Sequence, residues 1–219
     1  MINNALITGG TRGIGKCIAD LLTEKLWHVA ALGRKDFDIA NPKSVSDYFI
    51  NKYPHDVPLD AIVFSNGEWY SESFRLQSPM SYRRQYESRV VQPVKIINDF
   101  STDLEMSKIG CVVFVSSTRG FIGGKETAPY SLACAAQIAL VQGLAREYEG
   151  IRFNVVCPGL TATDMGREVI STGGAKLDAI GQEPKVVAQV IVDLILDTES
   201  NGKVIRVVDG KASEAKWNW

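Results

Sequence analysis

Metal-ligating residues are scarce in this chain, with two histidines and four cysteines among 219 residues. His28 and His55 stand far apart without ligand-like neighbours, so no metal site is expected. Cys17, Cys111, Cys134 and Cys157 form no CxxC pair. Each falls inside an expected helix or strand, which reads as buried free thiols in a reducing cytoplasm. Neither sign of charge is in excess: 24 Lys and Arg stand against 25 Asp and Glu, for a net charge of −1. They are scattered, so neither a nucleic-acid surface nor an anionic-membrane surface is expected. No apolar run approaches the roughly 20 residues that cross a bilayer. The opening Met1-Ile2-Asn3-Asn4 has neither the basic nor the apolar part of a signal peptide. Repeats, linkers and low-complexity stretches are also missing, which leaves one cytoplasmic domain over residues 1–219.

What the chain does contain is a regular alternation. Short apolar runs at Ala5–Thr8, Val29–Leu32, Ala61–Phe64, Cys111–Ser116, Phe153–Cys157 and Val204–Val208 read as parallel strands covered on both faces. Between them lie helical segments at Ile14–Lys25, Ser44–Lys52, Met80–Glu105, Tyr130–Tyr148 and Lys185–Asp197. The pattern predicts a Rossmann-like α/β fold, a doubly wound parallel sheet with helices on both faces. Residues Thr161–Pro184, rich in Gly and Thr, are expected to be the one long irregular connection and a substrate lid. Ligands of such sheets bind beyond the carboxyl ends of the strands, so the residues just after each strand matter most.

After the first strand comes Thr8-Gly9-Gly10-Thr11-Arg12-Gly13-Ile14-Gly15, running into a helix. Glycines permit a tight turn and close approach of a pyrophosphate, and a helix N-terminus offers unpaired N–H groups. The second strand ends at Gly33-Arg34, with no acid at the position that usually binds a ribose 2′-hydroxyl. Arg34 and Arg12 are instead two cations suited to a 2′-phosphate. The spacing TGxxxGxG, the Ser65-Asn66-Gly67 after the Ala61–Phe64 strand and the Pro158-Gly159-Leu160-Thr161-Ala162-Thr163 after Phe153–Cys157 resemble the short-chain dehydrogenase/reductase family. Asn201-Gly202-Lys203-Val204 and Val208-Asp209-Gly210 resemble its last strand, so the resemblance spans nearly the whole chain. It implies an NADP(H) cofactor held by Gly9, Thr11, Arg12, Ile14, Gly15, Arg34, Ser65, Asn66, Gly67, Tyr130, Pro158, Gly159, Thr161 and Thr163. It also implies Asp38 on the adenine edge, with Ile39 packing on the ring. Asn66 replaces a small Ala of the family pattern.

The family's reaction is reversible reduction of a carbonyl. A Tyr acts as acid/base, a Ser holds the substrate oxygen, a Lys four residues after the Tyr supplies positive charge, and an Asn completes a proton relay. Ser117 and Tyr130 match, thirteen residues apart. The Lys position holds Cys134, and the Asn position, four residues before Pro93, holds Arg89. A thiol cannot lower the pKa of a phenol, which is about 10 when unperturbed. Pro93 lacks the N–H that would bond the carbonyl of residue 89, so that carbonyl is expected to stay free for a water relay. A cation lost at Cys134 and a cation gained at Arg89 suggest that Arg89 takes over the tuning of Tyr130.

Three functions are compatible with these residues: an NADP(H)-dependent oxidoreductase working through Ser117, Tyr130 and Arg89, a silent NADP- or partner-binding protein, or a non-redox lyase or isomerase. The substrate is expected to be a small molecule, with Trp69, Tyr70, Phe121 and the Thr161–Pro184 segment shaping its pocket. The family resemblance implies a dimer or tetramer built on the two long helices, with Ile138, Val141 and Gln142 facing outward. The tail Lys216-Trp217-Asn218-Trp219 is a candidate for docking on a neighbour or over the pocket.

Overall fold

The computed structural model describes residues 2–53, 58–176, 179 and 181–215. His55 and the tail at 216–219 lie outside these residues. Seven strands form one sheet in the order β2-β1-β3-β4-β5-β6-β7. They are β1 (Asn4–Thr8), β2 (His28–Leu32), β3 (Ala61–Phe64), β4 (Cys111–Val115), β5 (Arg152–Pro158), β6 (Val204–Val208) and β7 (Lys211–Glu214). All neighbours are parallel except β6 and β7. The chain leaves β1 for the edge strand β2, then returns past β1 to β3. This reversal opens a crevice at the carboxyl ends of β1 and β3, where a doubly wound sheet takes its ligand.

Side chains alternate across the strands and fill two cores. Leu6, Ile62, Val112, Phe114 and Phe153 face one side. Ala5, Ile7, Ala61, Val63, Cys111 and Val113 face the other. Helices α1 (Gly13–Glu24) and α8 (Pro184–Leu196) cover the second side with fully buried Ile18, Leu22, Ile191 and Ile195. Each of those side chains contributes about 1.5–3 kcal/mol by leaving water. Helix α2 (Pro42–Asn51) covers the first side beyond β1, inserting Val45 and Phe49. Its start is fixed by Asn41, whose side chain accepts from the N–H groups of Lys43 and Ser44, with Pro42 at the first helical position.

The expected Met80–Glu105 helix is broken into α3 (Pro79–Tyr86), a π turn (Glu87–Val91), α4 (Gln92–Asp99) and α5 (Ser101–Met106). Pro93 can donate no N–H, and the preceding N–H of Gln92 reaches back to the carbonyl of Glu87, widening the turn. Arg89 sits within that turn. The helix α6 (Ala128–Glu147) is long and apolar enough by length and composition to cross a bilayer, a test that a buried core helix also passes. Here it is a core helix. Ile138 and Val141, expected to face outward, are fully buried in the core beneath the sheet. Their positions on α6 point at β4 and β5 rather than at a neighbour, while Gln142 is half-buried.

The segment expected to be irregular contains α7 (Asp164–Ser171), capped by Thr163, whose hydroxyl accepts from Gly166 N–H. Thr161 and Gln182 also form a bridge across its base. The final hairpin was not foreseen either. Asp209 and Gly210 both have positive φ, 49° and 75°, as a two-residue type I′ turn requires, and β7 folds back antiparallel on β6.

Candidate active site

A cleft of about 640 Å³ runs along the carboxyl ends of the strands. The glycine turn forms its floor. Gly9 has φ of 70°, and a side chain there would meet Asn66 N and Ser65 backbone atoms at 2.7 Å. The loop after β1 is therefore flush against the residues that follow β3. Gly15, grouped with the ligand-binding residues in the sequence, does not line the cleft. It packs behind it, where an added Cβ would lie 2.2 Å from Gly9 O. Asn66 is held on both sides, accepting from Thr8 Oγ1 at 2.5 Å and donating to Ser88 O at 2.7 Å. The larger side chain thus ties β1 and β3 to the π turn. Gly33 is crowded by a side chain, since a Cβ would sit 2.4 Å from Thr11 Oγ1. This crowding accounts for the missing acid after β2.

At the outer end of the cleft, the two expected phosphate-binding cations are already engaged. Arg34 donates to Glu68 at 2.6 Å, and Arg12 pairs with Asp164 at 3.3 Å. Arg84, from α3, grips Glu68 through two nitrogens at 2.8 and 2.6 Å and pairs with Asp38 at 3.3 Å. Hydrogen bonds from Arg84 hold the Glu68 carboxyl below its ordinary pKa. Asp38 also accepts from Ala40 N–H, so it is fixed on its own loop. Glu68 and Arg84 had no motif to reveal them, because their roles depend on the close approach of α3 to the end of β3.

The inner end joins Ser117, Tyr130 and Arg89, as the sequence suggested. Ser117 follows β4 at the start of a single 3-10 turn, Thr118–Gly120, and its hydroxyl accepts from Arg119 N–H. Tyr130 lies in the first turn of α6 and is 5% exposed. The Arg89 guanidinium carbon stands 4.5 Å from the centre of the Tyr130 ring. Its nitrogens donate to Gln85 Oε1 at 3.2 Å and to Glu68 O at 3.4 Å. Gly67 admits it: a Cβ there would fall 2.2 Å from Arg89 Nη2. Trp69 also packs on Tyr130, edge-on at 5.0 Å, and is held by its indole N–H on Thr172.

Burial dominates the chemistry of this end. The Tyr130 phenol is pushed up to about 12 by desolvation, with Arg89 and Ser117 pulling it down less strongly. Burial likewise raises the Cys134 thiol. Cys134 is fully buried with Trp69 and Tyr130 and does not line the cleft, so it acts as a small packed side chain. One expectation is overturned. The carbonyl of Arg89 is not free, because Gln137 on α6 donates to it at 3.1 Å in place of the N–H that Pro93 lacks.

Ile14, Ile39, Pro158, Gly159, Thr161 and Thr163 all line the same cleft, as do Trp69 and Phe121. Tyr70 does not line it; its hydroxyl bonds Glu72 instead. Arg119 and Arg206 were not singled out in the sequence, yet both line the cleft. Among the described residues no group of His, Cys, Asp and Glu is arranged to hold a metal ion.

The family model described as "short chain dehydrogenase" matches residues 34–173, and the chain belongs to that family. An acetoacetyl-CoA reductase of Shinella zoogloeoides is 28% identical over 218 residues, covering 88% of this chain and 90% of the relative. A small-chain dehydrogenase solved in complex with NADPH superposes with a TM-score of 0.80 at 21% identity, covering 96% of this chain and 98% of the other. A 4-hydroxyisoleucine dehydrogenase complexed with NADH superposes at 0.84 with 22% identity, covering 95% and 97%.

Proposed function

We propose that this protein is an NADP(H)-dependent oxidoreductase that interconverts a carbonyl and an alcohol through Ser117 and Tyr130, with Arg89 in the place of the missing Lys. The carrying observation is the stack of Arg89 on Tyr130 at 4.5 Å, which returns a positive charge to the side of the phenol that Cys134 left without one. The cleft fits a phosphorylated dinucleotide. A glycine turn opens onto the N-terminus of a twelve-residue helix, and two arginines stand at the far end with no acid after β2. Arg12 and Arg34 are exposed and paired with single carboxylates, so a dianionic 2′-phosphate would exchange with Glu68 and Asp164 at modest cost.

NADPH, when bound, supplies the hydride to the carbonyl carbon. The chain's own part is to hold and protonate the oxygen. The Ser117 hydroxyl donates to the carbonyl oxygen and fixes its position. The Tyr130 phenol, protonated across the neutral range like any phenol and held so further into alkali by its burial, gives its proton to the oxygen as the charge develops. Arg89 would stabilise the phenolate left behind, its guanidinium lying against Gly67 and the face of the ring. Gln137 keeps the Arg89 backbone fixed. In reduction the buried phenol is thus already in its working form.

A titration of NADPH and NADH against the protein, followed by aldehydes and ketones monitored at 340 nm, tests this. Tight NADPH binding with turnover is the expected result. Binding without turnover over a broad panel would leave a silent binding protein or a non-redox enzyme, and equal affinity for NADH would defeat the NADP assignment.

A further inference from the structure

The charges around the cleft fall into two sets. Its three acidic lining residues are all paired: Asp38 with Arg84, Glu68 with Arg34 and Arg84, and Asp164 with Arg12 and Arg167. Three lining arginines are not. Arg89, Arg119 and Arg206 have no carboxylate partner among the described residues; Arg89 stacks on Tyr130, Arg119 lies in the turn that starts at Ser117, and Arg206 stacks on Phe121. Arg89 is the telling one, because it is only 2% exposed. A guanidinium has five N–H donors, and those of Arg89 meet two neutral acceptors at 3.2 and 3.4 Å. A buried cation without an anion is costly unless something supplies the opposite charge.

Arg119 reaches the same chamber from the turn after β4. Its Nη2 donates to Gly174 O at 2.8 Å, and it lies so close to Gly124 that a Cβ there would meet Nη1 at 2.5 Å. Gly174 in turn touches Trp69, the residue edge-on to Tyr130. Arg206, on β6, stacks over Phe121 with its guanidinium carbon 5.6 Å from the ring. Three separate elements therefore each bring an arginine without a carboxylate partner among the described residues to the lining of the cleft.

From this partition we infer that the substrate is an oxo acid, with its carbonyl and a carboxylate within a few bonds of one another, the carboxylate being held by Arg89 and Arg119. This inference deepens the oxidoreductase reading above and rests on it for the carbonyl. A carboxylate is the planar anion that a guanidinium binds through two parallel hydrogen bonds, and it fits beside a stacked ring. The short reach from Arg89 to Tyr130 sets the spacing, favouring 2-oxo and 3-oxo acids over acids whose carbonyl lies farther from the carboxylate. Arg206 adds attraction at the entrance.

Calorimetric titration of the protein saturated with NADP+ tests the inference, using 2-oxobutanoate and acetoacetate against their methyl esters. Each pair differs in charge while keeping the carbonyl. At least one acid is expected to bind ten-fold or more tightly than its ester, and to weaken with added salt. Arg119→Met should cost the acid about ten-fold and leave the ester unchanged. Arg89 also supports the fold, so Arg89→Lys, which keeps the charge but not the paired donors, is the companion variant; it should weaken the acid while the melting temperature stays near the parent's. Equal binding of acid and ester, binding of neither, or an Arg119→Met protein with full acid affinity overturns the inference. The two readings fail separately. NADPH-dependent turnover of neutral ketones without preference for acids removes the oxo acid and keeps the oxidoreductase. Selective acid binding by a protein that never oxidises NADPH does the reverse.

Discussion

The two ends of the cleft solve the problem of charge in opposite ways. At the outer end Arg12, Arg34, Asp38, Glu68, Arg84 and Asp164 form exposed or half-exposed ion pairs. Such pairs contribute little to stability, about 0–1 kcal/mol each, which suits a place where a phosphate must enter and leave. At the inner end Arg89 and Tyr130 are buried together without a carboxylate, stacked instead of ion-paired. There the low dielectric makes each charge matter more. Cys134 brings no charge to this end; the positive charge there is that of Arg89, from a neighbouring element, with a glycine that leaves it room. The outer end is built for exchange and the inner end for fixed electrostatics.

The contrast breaks most sharply at Tyr130. Tyr130→Phe keeps the ring beneath Arg89 and against Trp69 but removes the proton, so carbonyl reduction should fall by roughly 10²–10⁴-fold. NADPH affinity, measured by fluorescence titration, should change little. Undiminished turnover would remove Tyr130 from the chemistry.

At the outer end, Arg34→Ala should weaken NADPH by ten-fold or more, since a charge-assisted hydrogen bond to phosphate contributes about 1.5–3 kcal/mol. NADH affinity should hardly move. A parallel loss for both cofactors would mean that Arg34 positions the loop and does not read the phosphate.

Gly67→Ala joins the two ends. Its Cβ would arrive 2.2 Å from Arg89 Nη2 and must push the guanidinium off the ring. Overpacking of this kind costs about 1–3 kcal/mol. Chemical unfolding should show that loss, with turnover falling as Arg89 leaves Tyr130. Gly123→Ala, where an added Cβ has nothing within 4 Å, is the matched control and should be near neutral. If both variants behave alike, the fit of Arg89 beneath Gly67 has no consequence for function.

Much of this arrangement was legible in the sequence because strand-to-loop junctions carry their own signatures. The glycine turn, the arginine after β2, Ser117 and the PGxxxT segment each follow a strand, and they fall into one cleft with Tyr130 from the start of α6. Local pattern did not reach the rest. Pro93 signalled a disturbed helix, yet the π turn and the donation from Gln137 to Arg89 O depend on packing between two helices far apart in the chain. The burial of Ile138 and Val141 depended on which face of an almost uniformly apolar helix meets the sheet, which periodicity does not settle for such a helix. Asp209-Gly210 was readable as a hairpin turn, but the strand after it, Lys211–Glu214, is exposed throughout and lacks apolar alternation. Glu68 and Arg84 follow no motif; only the folded chain brings them to Arg34.

The smallest expected effect asks which influence wins at Tyr130, burial or Arg89. With its pKa pushed up to about 12 in the folded protein and near 10 when unfolded, Tyr130 contributes to stability fully below pH 10. Between pH 10 and 12 the unfolded chain releases this proton while the folded one keeps it, so stability falls as pH rises through that window. Each unit of difference corresponds to about 1.4 kcal/mol, so at pH 10.7 the loss from this group should be on the order of 1 kcal/mol. Tyr53, also raised to about 12 by burial, follows the same course and remains in any Tyr130 variant. Urea unfolding of the parent and of Tyr130→Phe at pH 8 and pH 10.7 isolates the difference, the variant losing less stability than the parent on moving to the higher pH. Parallel losses would show that Arg89 offsets burial completely and holds the phenol near its ordinary value. In that case the inner end would resemble the lysine-bearing arrangement in strength as well as in position, and alcohol oxidation, which needs the phenolate, should proceed at a lower pH than burial alone would allow.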